Sequence, residues 1–93
     1  MEPKELREVR RHLGELLGLR TRRNAVRPMP ARDLAELLGV RERQLRAYEA
    51  GTAAIPPLRA RRARALLQVT DPQRIRKALR RAIPRRRTDL PAA

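Results

Sequence analysis

Arg43, Gln44 and Arg46 carry the side chains of this chain that are best suited to chemical recognition. A guanidinium group is a rigid fork of N–H donors that matches a phosphate or the O6 and N7 atoms of guanine. A glutamine amide matches the N6 and N7 atoms of adenine in the same way. Because residues three positions apart lie on one side of a helix, a helix through these residues presents both arginines together.

The flanking residues predict that such a helix exists and packs across a neighbour. Apolar residues that can form the contact between two crossed helices lie at positions 34, 35, 38, 40, 45 and 48. A tight turn is expected at Gly39, and Gly51 ends the second helix, which we place at residues 41–50. With Leu45 directed inward, a step of about 100° per residue directs Arg43 outward. The stretch therefore predicts a helix-turn-helix whose second helix enters the major groove of double-stranded DNA.

Basic residues dominate the composition and are unevenly distributed. The chain has 24 Lys plus Arg residues against 10 Asp plus Glu, for a net charge of +14, so we expect it to bind polyanions. Residues 31–51 hold four arginines and four acidic residues, whereas residues 52–87 hold twelve basic residues and one acidic residue. The helix-turn-helix segment thus has no net charge, whereas its flank is basic. We therefore expect selectivity to come from the first and affinity from the second.

The residues before the helix-turn-helix predict a first helix and a basic connector. Pro3 suits the first helical position, and apolar residues at 6, 9, 13 and 16 form one face of a helix that extends to about Leu17. We expect a stop near Gly18, with a second helical turn or two across residues 19–26. A single kinked helix through the same residues is the alternative. The basic residues of this connector are Arg20, Arg22, Arg23 and Arg27.

Two more helices are expected after residue 51. Turn and cap signals place them at about 57–68 and 72–83, and Pro84 ends the second. The second has an apolar stripe over residues 75–83 and several like charges four residues apart. Such charges destabilise a helix unless a polyanion or an acidic protein surface offsets them.

No strand pattern appears in the sequence. We therefore predict an all-α fold of about five helices, with residues 1–83 forming a single helical domain and residues 84–93 forming a basic, disordered tail. Since Phe and Trp are absent and Tyr48 is the one aromatic residue, the core must be aliphatic. Cys is absent as well, so neither disulfides nor thiolate metal sites hold the fold.

The helix-turn-helix segment contains a series of residues at fixed spacing: Leu34, Ala35, Gly39, Val40, Leu45, Tyr48, Glu49 and Gly51. With this series, which has no gap, the chain resembles the phage Cro/repressor-type helix-turn-helix family, often called XRE-like. The resemblance covers roughly residues 29–67. It implies structural roles for the eight residues and a helical domain of the phage-repressor type, to which this chain adds a basic C-terminal helix.

The same resemblance implies which residues contact DNA bases. The positions that face the major groove in that family correspond here to Glu42, Arg43, Gln44, Arg46 and Ala47. By base-edge chemistry the two arginines suit guanine, the glutamine suits adenine and the alanine suits the methyl group of thymine. The resemblance further implies that Glu49 pairs with an arginine of the first helix. Candidates for that partner are Arg20, Arg22 and Arg23.

Two departures from the family pattern predict phosphate contacts. Arg41 stands where the family prefers Ser or Thr, and a basic residue at a helix start is unfavourable by about 0.3–1 kcal/mol. We therefore expect Arg41 to touch a phosphate. Loop 52–54 lacks the basic residues that the family often uses on the DNA backbone, and later arginines can replace them. The candidate phosphate contacts are Arg32, Arg41, Arg59, Arg61 and Arg62.

A weaker resemblance is to the MerR-like winged helix-turn-helix family. It rests on Gly39-Val40, on Leu45-Arg46 with Tyr48-Glu49, and on the Ile-Pro-Pro that follows. That family normally has one more residue between the glutamate and the glycine, and then a two-stranded wing. Residues 52–59, which include two prolines, are a poor match to such a wing.

Catalytic, metal-binding and membrane functions find little support in the sequence. Ser and Cys are absent, so the usual nucleophiles are missing, and no glycine-rich phosphate loop is present. His12 lacks a second His or Cys, and we expect it to be solvated on a helix surface. We expect no enzyme, no metal and no cofactor. Because no apolar run exceeds a few residues, we also expect no membrane span and no secretory signal.

These observations predict a sequence-specific transcriptional regulator that binds double-stranded DNA in the cytoplasm, associated with the nucleoid. The family resemblance favours a repressor. One helix reads few base pairs, so we expect a homodimer on a two-part site, paired through the stripe at 75–83. One alternative is a non-specific architectural nucleic-acid-binding protein with a steep salt dependence. The other is an antitoxin or phage adaptor that docks an acidic protein partner through its basic face.

Overall fold

Five α-helices and one short hairpin make up the described part of the molecule. This computed structural model describes the backbone of residues 1–89 and the side chains of residues 1–81. The helices in chain order are α1 Pro3–Leu16, α2 Ala31–Leu38, α3 Glu42–Ala50, α4 Pro57–Leu66 and α5 Pro72–Asp89. The all-α class with five helices is therefore confirmed. Across residues 1–89, strand-like pairing is limited to one isolated antiparallel bridge between Arg20 and Val26.

Helix α1 forms one wall of the core through its predicted apolar face. Leu6, Val9 and Leu13 are fully buried at spacings of three and four residues. The helix ends at Leu16, because Gly18 adopts a left-handed conformation with φ of +73°. The alternative of a kinked helix continuing through this glycine is therefore wrong.

The chain between α1 and α2 is a hairpin, not the helical turn that the sequence predicted. The backbone N–H of Thr21 donates to the carbonyl of Ala25 over 2.8 Å, and the N–H of Ala25 donates to the Thr21 hydroxyl over 3.2 Å. Asn24 at the tip has φ of +63°, a conformation that asparagine tolerates better than most residues. These local bonds compete with a helix and outweigh the helix propensity of the arginines. We call residues 19–27 the basic hairpin.

One buried aliphatic cluster is shared by all five helices. Helix α2 packs against α3, α4 and α5, while α1 packs against α3, α4 and α5. Met29, just before α2, is fully buried with Leu34 in the same cluster. The other buried apolar members in the two helices that follow are Ala31, Ala35, Leu38, Leu45 and Tyr48.

Helices α4 and α5 contribute less to this core. Helix α4 buries only Ala60 and Ala63, and it ends two residues before the predicted position at 68. Helix α5 begins as predicted after Asp71, whose carboxylate accepts the N–H of Gln73 over 2.9 Å. Its Ile75 is 2% exposed and packs in the core.

The end of α5 differs from the prediction. The helix continues to Asp89, so the end expected at Ile83 was wrong and the boundary drawn at residue 84 falls inside a helix. A proline within a helix removes one backbone hydrogen bond, but the helix can continue beyond it. The arginines at 85–87 have high helix propensity and favour that continuation. Residues 90–93 of the predicted tail lie outside the described residues.

None of the helices in the described part of the chain combines the length and the apolar character that crossing a membrane requires.

Candidate nucleic-acid interface

The turn between α2 and α3 sets the orientation of α3 relative to α2. Gly39 has φ of +70°, a left-handed conformation that side chains disfavour. The N–H of Val40 donates to the carbonyl of Ala35 over 3.0 Å and closes the end of α2. Arg41 then adopts an extended conformation and makes no side-chain cap to α3. The uncapped start that the sequence predicted is therefore present.

Helix α3 has an anchored side and an exposed side. Leu45 is fully buried and Tyr48 is 4% exposed, so both hold α3 to the core. Gly51, with φ of +77°, ends the helix where predicted. The opposite side carries the residues predicted to contact bases. Among these, Arg43, Gln44 and Arg46 are exposed, and Glu42 and Ala47 are half-buried.

The arginine that pairs with Glu49 is Arg10 of α1, so the predicted partners Arg20, Arg22 and Arg23 were wrong. The Nη1 of Arg10 lies 2.8 Å from Oε1 of Glu49, and its Nε donates to the carbonyl of Met29 over 2.8 Å. The side chains are 25% and 11% exposed, respectively. Because a partly buried charge loses hydration, Glu49 depends on this partner. Arg20, Arg22 and Arg23 belong to the basic hairpin, where all three are exposed.

Arg7 adds a second contact from α1 to the end of α3. Its Nη2 donates to the backbone carbonyl of Glu49 over 3.0 Å. Oε2 of Glu49 is buried and has no hydrogen-bond partner among the described residues. The α1–α3 junction is thus held by two guanidinium groups at the C-terminal half of α3, where cations are favourable.

The two arginines predicted to read bases have different surroundings. Arg43 makes no hydrogen bond or ion pair with the described residues, and it lies beside Gln44 in an open depression of about 540 Å³. Arg46 donates from Nη2 to Oε1 of Glu42 over 2.8 Å, and this carboxylate raises the pKa of Arg46. The Arg46 side chain is nevertheless 71% exposed. Both guanidinium groups are therefore accessible to a ligand.

An open cleft of about 630 Å³ lies where α1, the start of α2 and α3 meet. Its lining brings arginines from all three helices together around two glutamates. These residues are Arg7, Arg10, Arg32, Arg46, Glu42 and Glu49.

Four of the five predicted phosphate contacts are exposed, and the fifth is half-buried and has a structural bond. Arg32, Arg41, Arg61 and Arg62 are exposed. Arg59 is half-buried, and its Nη1 donates to the carbonyl of Leu38 over 2.6 Å, which caps the C-terminus of α2. Arg59 stays a predicted phosphate contact, with one of its donors engaged inside the molecule.

Sequence reasoning missed the roles of three residues of α1. Arg7 and Arg10 lie at the edge of the α1 apolar face, one position after Leu6 and Val9. This spacing could have indicated that both side chains contact a neighbouring helix. His12 was predicted to be solvated, but its Nε2 lies 3.0 Å from the carbonyl of Val69. Since a carbonyl only accepts, His12 donates this bond and ties α1 to the segment before α5.

The described residues contain no group of three or more His, Cys, Asp or Glu side chains that could hold a metal ion. Comparison of the chain with protein-family models, with curated proteins and with solved structures gives no match. The family likeness therefore rests on the helix-turn-helix residues quoted above.

Proposed function

We propose that the chain is a sequence-specific regulator that binds double-stranded DNA by placing α3 in the major groove. One observation carries the proposal: α3 is fixed on one side by Leu45, Tyr48 and the Arg10–Glu49 pair, and exposes Arg43 beside Gln44 on the other. A helix that is already fixed loses little conformational entropy when it binds. Arg43 also has no bond to the described residues that must break when it meets a base edge. The major groove is wide enough to admit a helix.

The exposed face of α3 has the groups that base recognition requires. Arg43 suits O6 and N7 of guanine, Gln44 suits N6 and N7 of adenine, and the methyl group of Ala47 suits that of thymine. Arg46 bonds Glu42 through Nη2, and its guanidinium has further N–H donors that suit a guanine. Glu42 lies on the same face, and its carboxylate suits the amino group of cytosine.

Affinity comes mainly from the exposed arginines outside this face. Arg32 and Arg41 stand at the starts of α2 and α3, and Arg61 and Arg62 lie on α4. Phosphate contacts by these residues position α3 without selecting a sequence. The net charge of +14 adds non-specific attraction to DNA that weakens as salt increases.

A regulator of this kind represses by occupying a promoter. We retain the proposal of a homodimer on a two-part site, but not its predicted surface at 75–83. Ile75 is buried in the core of its own chain and Leu79 packs against that core, so the first part of that stripe is already used. The side chains of residues 82 and 83 lie outside those described.

The decisive experiment is selection of bound sequences from a random duplex pool, with wild type, Arg43→Ala and Arg61→Ala. Wild type should enrich a motif. Arg43→Ala should flatten the preference at one or two positions, whereas Arg61→Ala, the matched control, should weaken all sequences alike. If wild type enriches no motif, the chain is a non-specific nucleic-acid-binding protein and the regulator proposal is wrong.

One observation favours a second candidate, an adaptor that docks an acidic protein. Leu58 on α4 is 75% exposed, and among the described side chains it is the one large hydrophobic residue with high exposure. It lines an open groove of about 640 Å³ with Arg61, Arg62 and Ala65. An apolar centre with a basic rim fits an acidic segment with one apolar residue. A heterocomplex that survives salt strong enough to release DNA, and is lost in Leu58→Asp, would support this function.

A further inference from the structure

The basic hairpin carries a concentration of positive charge that nothing in the described structure neutralises. Arg20, Arg22, Arg23 and Arg27 are all exposed, and the sequence has no acidic residue between Glu15 and Asp33. The one described hydrogen bond from these guanidinium groups goes from Arg20 to the neighbouring carbonyl of Leu19, over 3.4 Å. Four like charges so close together repel one another, and a polyanion removes that repulsion.

The hairpin is closed by its own backbone, so the backbone positions that carry its arginines are fixed. Two bonds add to those between Thr21 and Ala25. The N–H of Arg27 donates to the carbonyl of Leu19 over 3.0 Å, and the N–H of Asn24 donates to the carbonyl of Thr21 over 2.9 Å. A closed hairpin loses less conformational entropy on binding than an open connector of the same length.

The base of the hairpin is seated on α1. The N–H of Leu19 donates to the carbonyl of Gly14 over 2.9 Å, and the N–H of Met29 donates to the carbonyl of Arg10 over 2.8 Å. Gly14 is buried, and a Cβ atom built on it would lie 2.0 Å from the carbonyl oxygen of Arg27. The hairpin backbone therefore lies so close to α1 that only glycine fits at position 14.

The exit of the hairpin is joined to α3 by a single side chain. Arg10 bonds the carbonyl of Met29 with Nε and the carboxylate of Glu49 with Nη1. The next residues, Pro30 and Ala31, line the same cleft as Glu42 and Arg46 of α3. The hairpin thus leads directly into the wall of the cleft beside the helix that we propose to read bases.

We infer that the basic hairpin binds the sugar–phosphate backbone of DNA next to the base pairs read by α3. The inference rests on the function proposed above. Duplex DNA carries one negative charge per about 1.7 Å of its axis, so a duplex bound at α3 brings phosphates close to a basic element beside that helix. Arginines on a narrow tip with no aromatic residue suit phosphate contacts, which add affinity without selecting a sequence.

The test compares Arg22→Ala/Arg23→Ala with Arg76→Ala/Lys77→Ala, a control that removes the same charge from exposed positions on α5. Each protein is titrated with a duplex trimmed to the motif selected by wild type and with one extended on both sides. Two lost phosphate contacts should lower the salt slope by about two and weaken binding to the extended duplex about ten-fold. The trimmed duplex should be affected little. Arg22→Lys/Arg23→Lys should keep most of the affinity.

Two results would overturn the inference while leaving the proposed function intact. In one, the hairpin variant loses no more affinity than the α5 control. In the other, it loses the same factor on both duplexes. In either case the selected motif, and its flattening by Arg43→Ala, would still stand. Unchanged circular dichroism and melting temperature would show that the hairpin variants are folded. A wild type that selects no motif would remove both the inference and the function beneath it.

Discussion

Helices α3 and α4 are similar in length, with nine and ten residues, and both expose arginines, but they are attached to the core in different ways. Helix α3 buries a leucine and a tyrosine and has a partly buried ion pair, whereas α4 buries two alanines and leaves its Leu58 outside. Helix α3 therefore has the firmer attachment. The difference fits the proposed roles of the two helices, because reading bases needs a helix of fixed orientation and contacting phosphates does not.

The largest expected contrast is in stability. Leu45→Ala should lower the free energy of unfolding by about 2–5 kcal/mol, because it leaves a cavity under α3. Leu58→Ala, the same change on the exposed side of α4, should stay within about 0.5 kcal/mol of wild type. Denaturant titrations of both variants make the measurement. Equal losses would contradict the contrast.

The ion pair of α3 should be the next most sensitive feature. Glu49→Ala leaves Arg10 without its carboxylate and should cost about 2 kcal/mol, less than the about 3–5 kcal/mol of a fully buried pair because the Arg10 side chain is 25% exposed. Exchange of the α3 amide hydrogens should become faster at the same time. A loss below about 0.5 kcal/mol, the level of a surface substitution, would mean that the pair does not anchor α3.

The two helices should also differ in what their arginines do for binding. Removing Arg43 should cost about 1–3 kcal/mol against its preferred base and little against sequences that lack it. Arg61→Ala should cost the same on every duplex and lower the salt slope by about one. Titrations with the selected duplex and with a scrambled one separate the two behaviours. A sequence-dependent effect at Arg61 would erase the distinction.

The smallest effect concerns the attachment of α4 to α1. The backbone N–H of Glu2, 3.2 Å from the Glu5 carboxylate, and the guanidinium of Arg64 lower the pKa of Glu5. Its contribution to stability is therefore present above the ordinary pKa of glutamate and is lost as the pH falls through the lowered value. Glu5→Gln should flatten the acid side of the stability–pH curve slightly, with less effect at high salt. An unchanged curve would show that neither the bond from Glu2 nor the pair with Arg64, at 3.5 Å, contributes to stability.

The elements that could be predicted from the sequence are those whose signals are local. Gly39 and Gly51 take the left-handed conformations expected of them, and Leu45 and Tyr48 are buried as their spacing requires. Each of these signals lies within a few residues of the feature that it specifies.

The features that were missed depend on distant partners or on close competition. The pair between Arg10 and Glu49 joins residues 39 apart in sequence, and no local pattern selects one arginine from several. The basic hairpin arises where the turn bonds at Thr21 and the conformation of Asn24 outweigh the helix propensity of the arginines. Pro84 lies inside α5 because its effect on a helix is graded.

The contact between Gly14 and Arg27 has a consequence for how this protein can change over generations. Any larger residue at position 14 would force the backbone of the hairpin away from α1, so we expect substitutions there to be eliminated. The outer end of the hairpin has no such restriction, since Arg22, Arg23 and Ala25 are all exposed. Descendants of this sequence should therefore vary at positions 22, 23 and 25 more readily than at position 14, without any change to the helices.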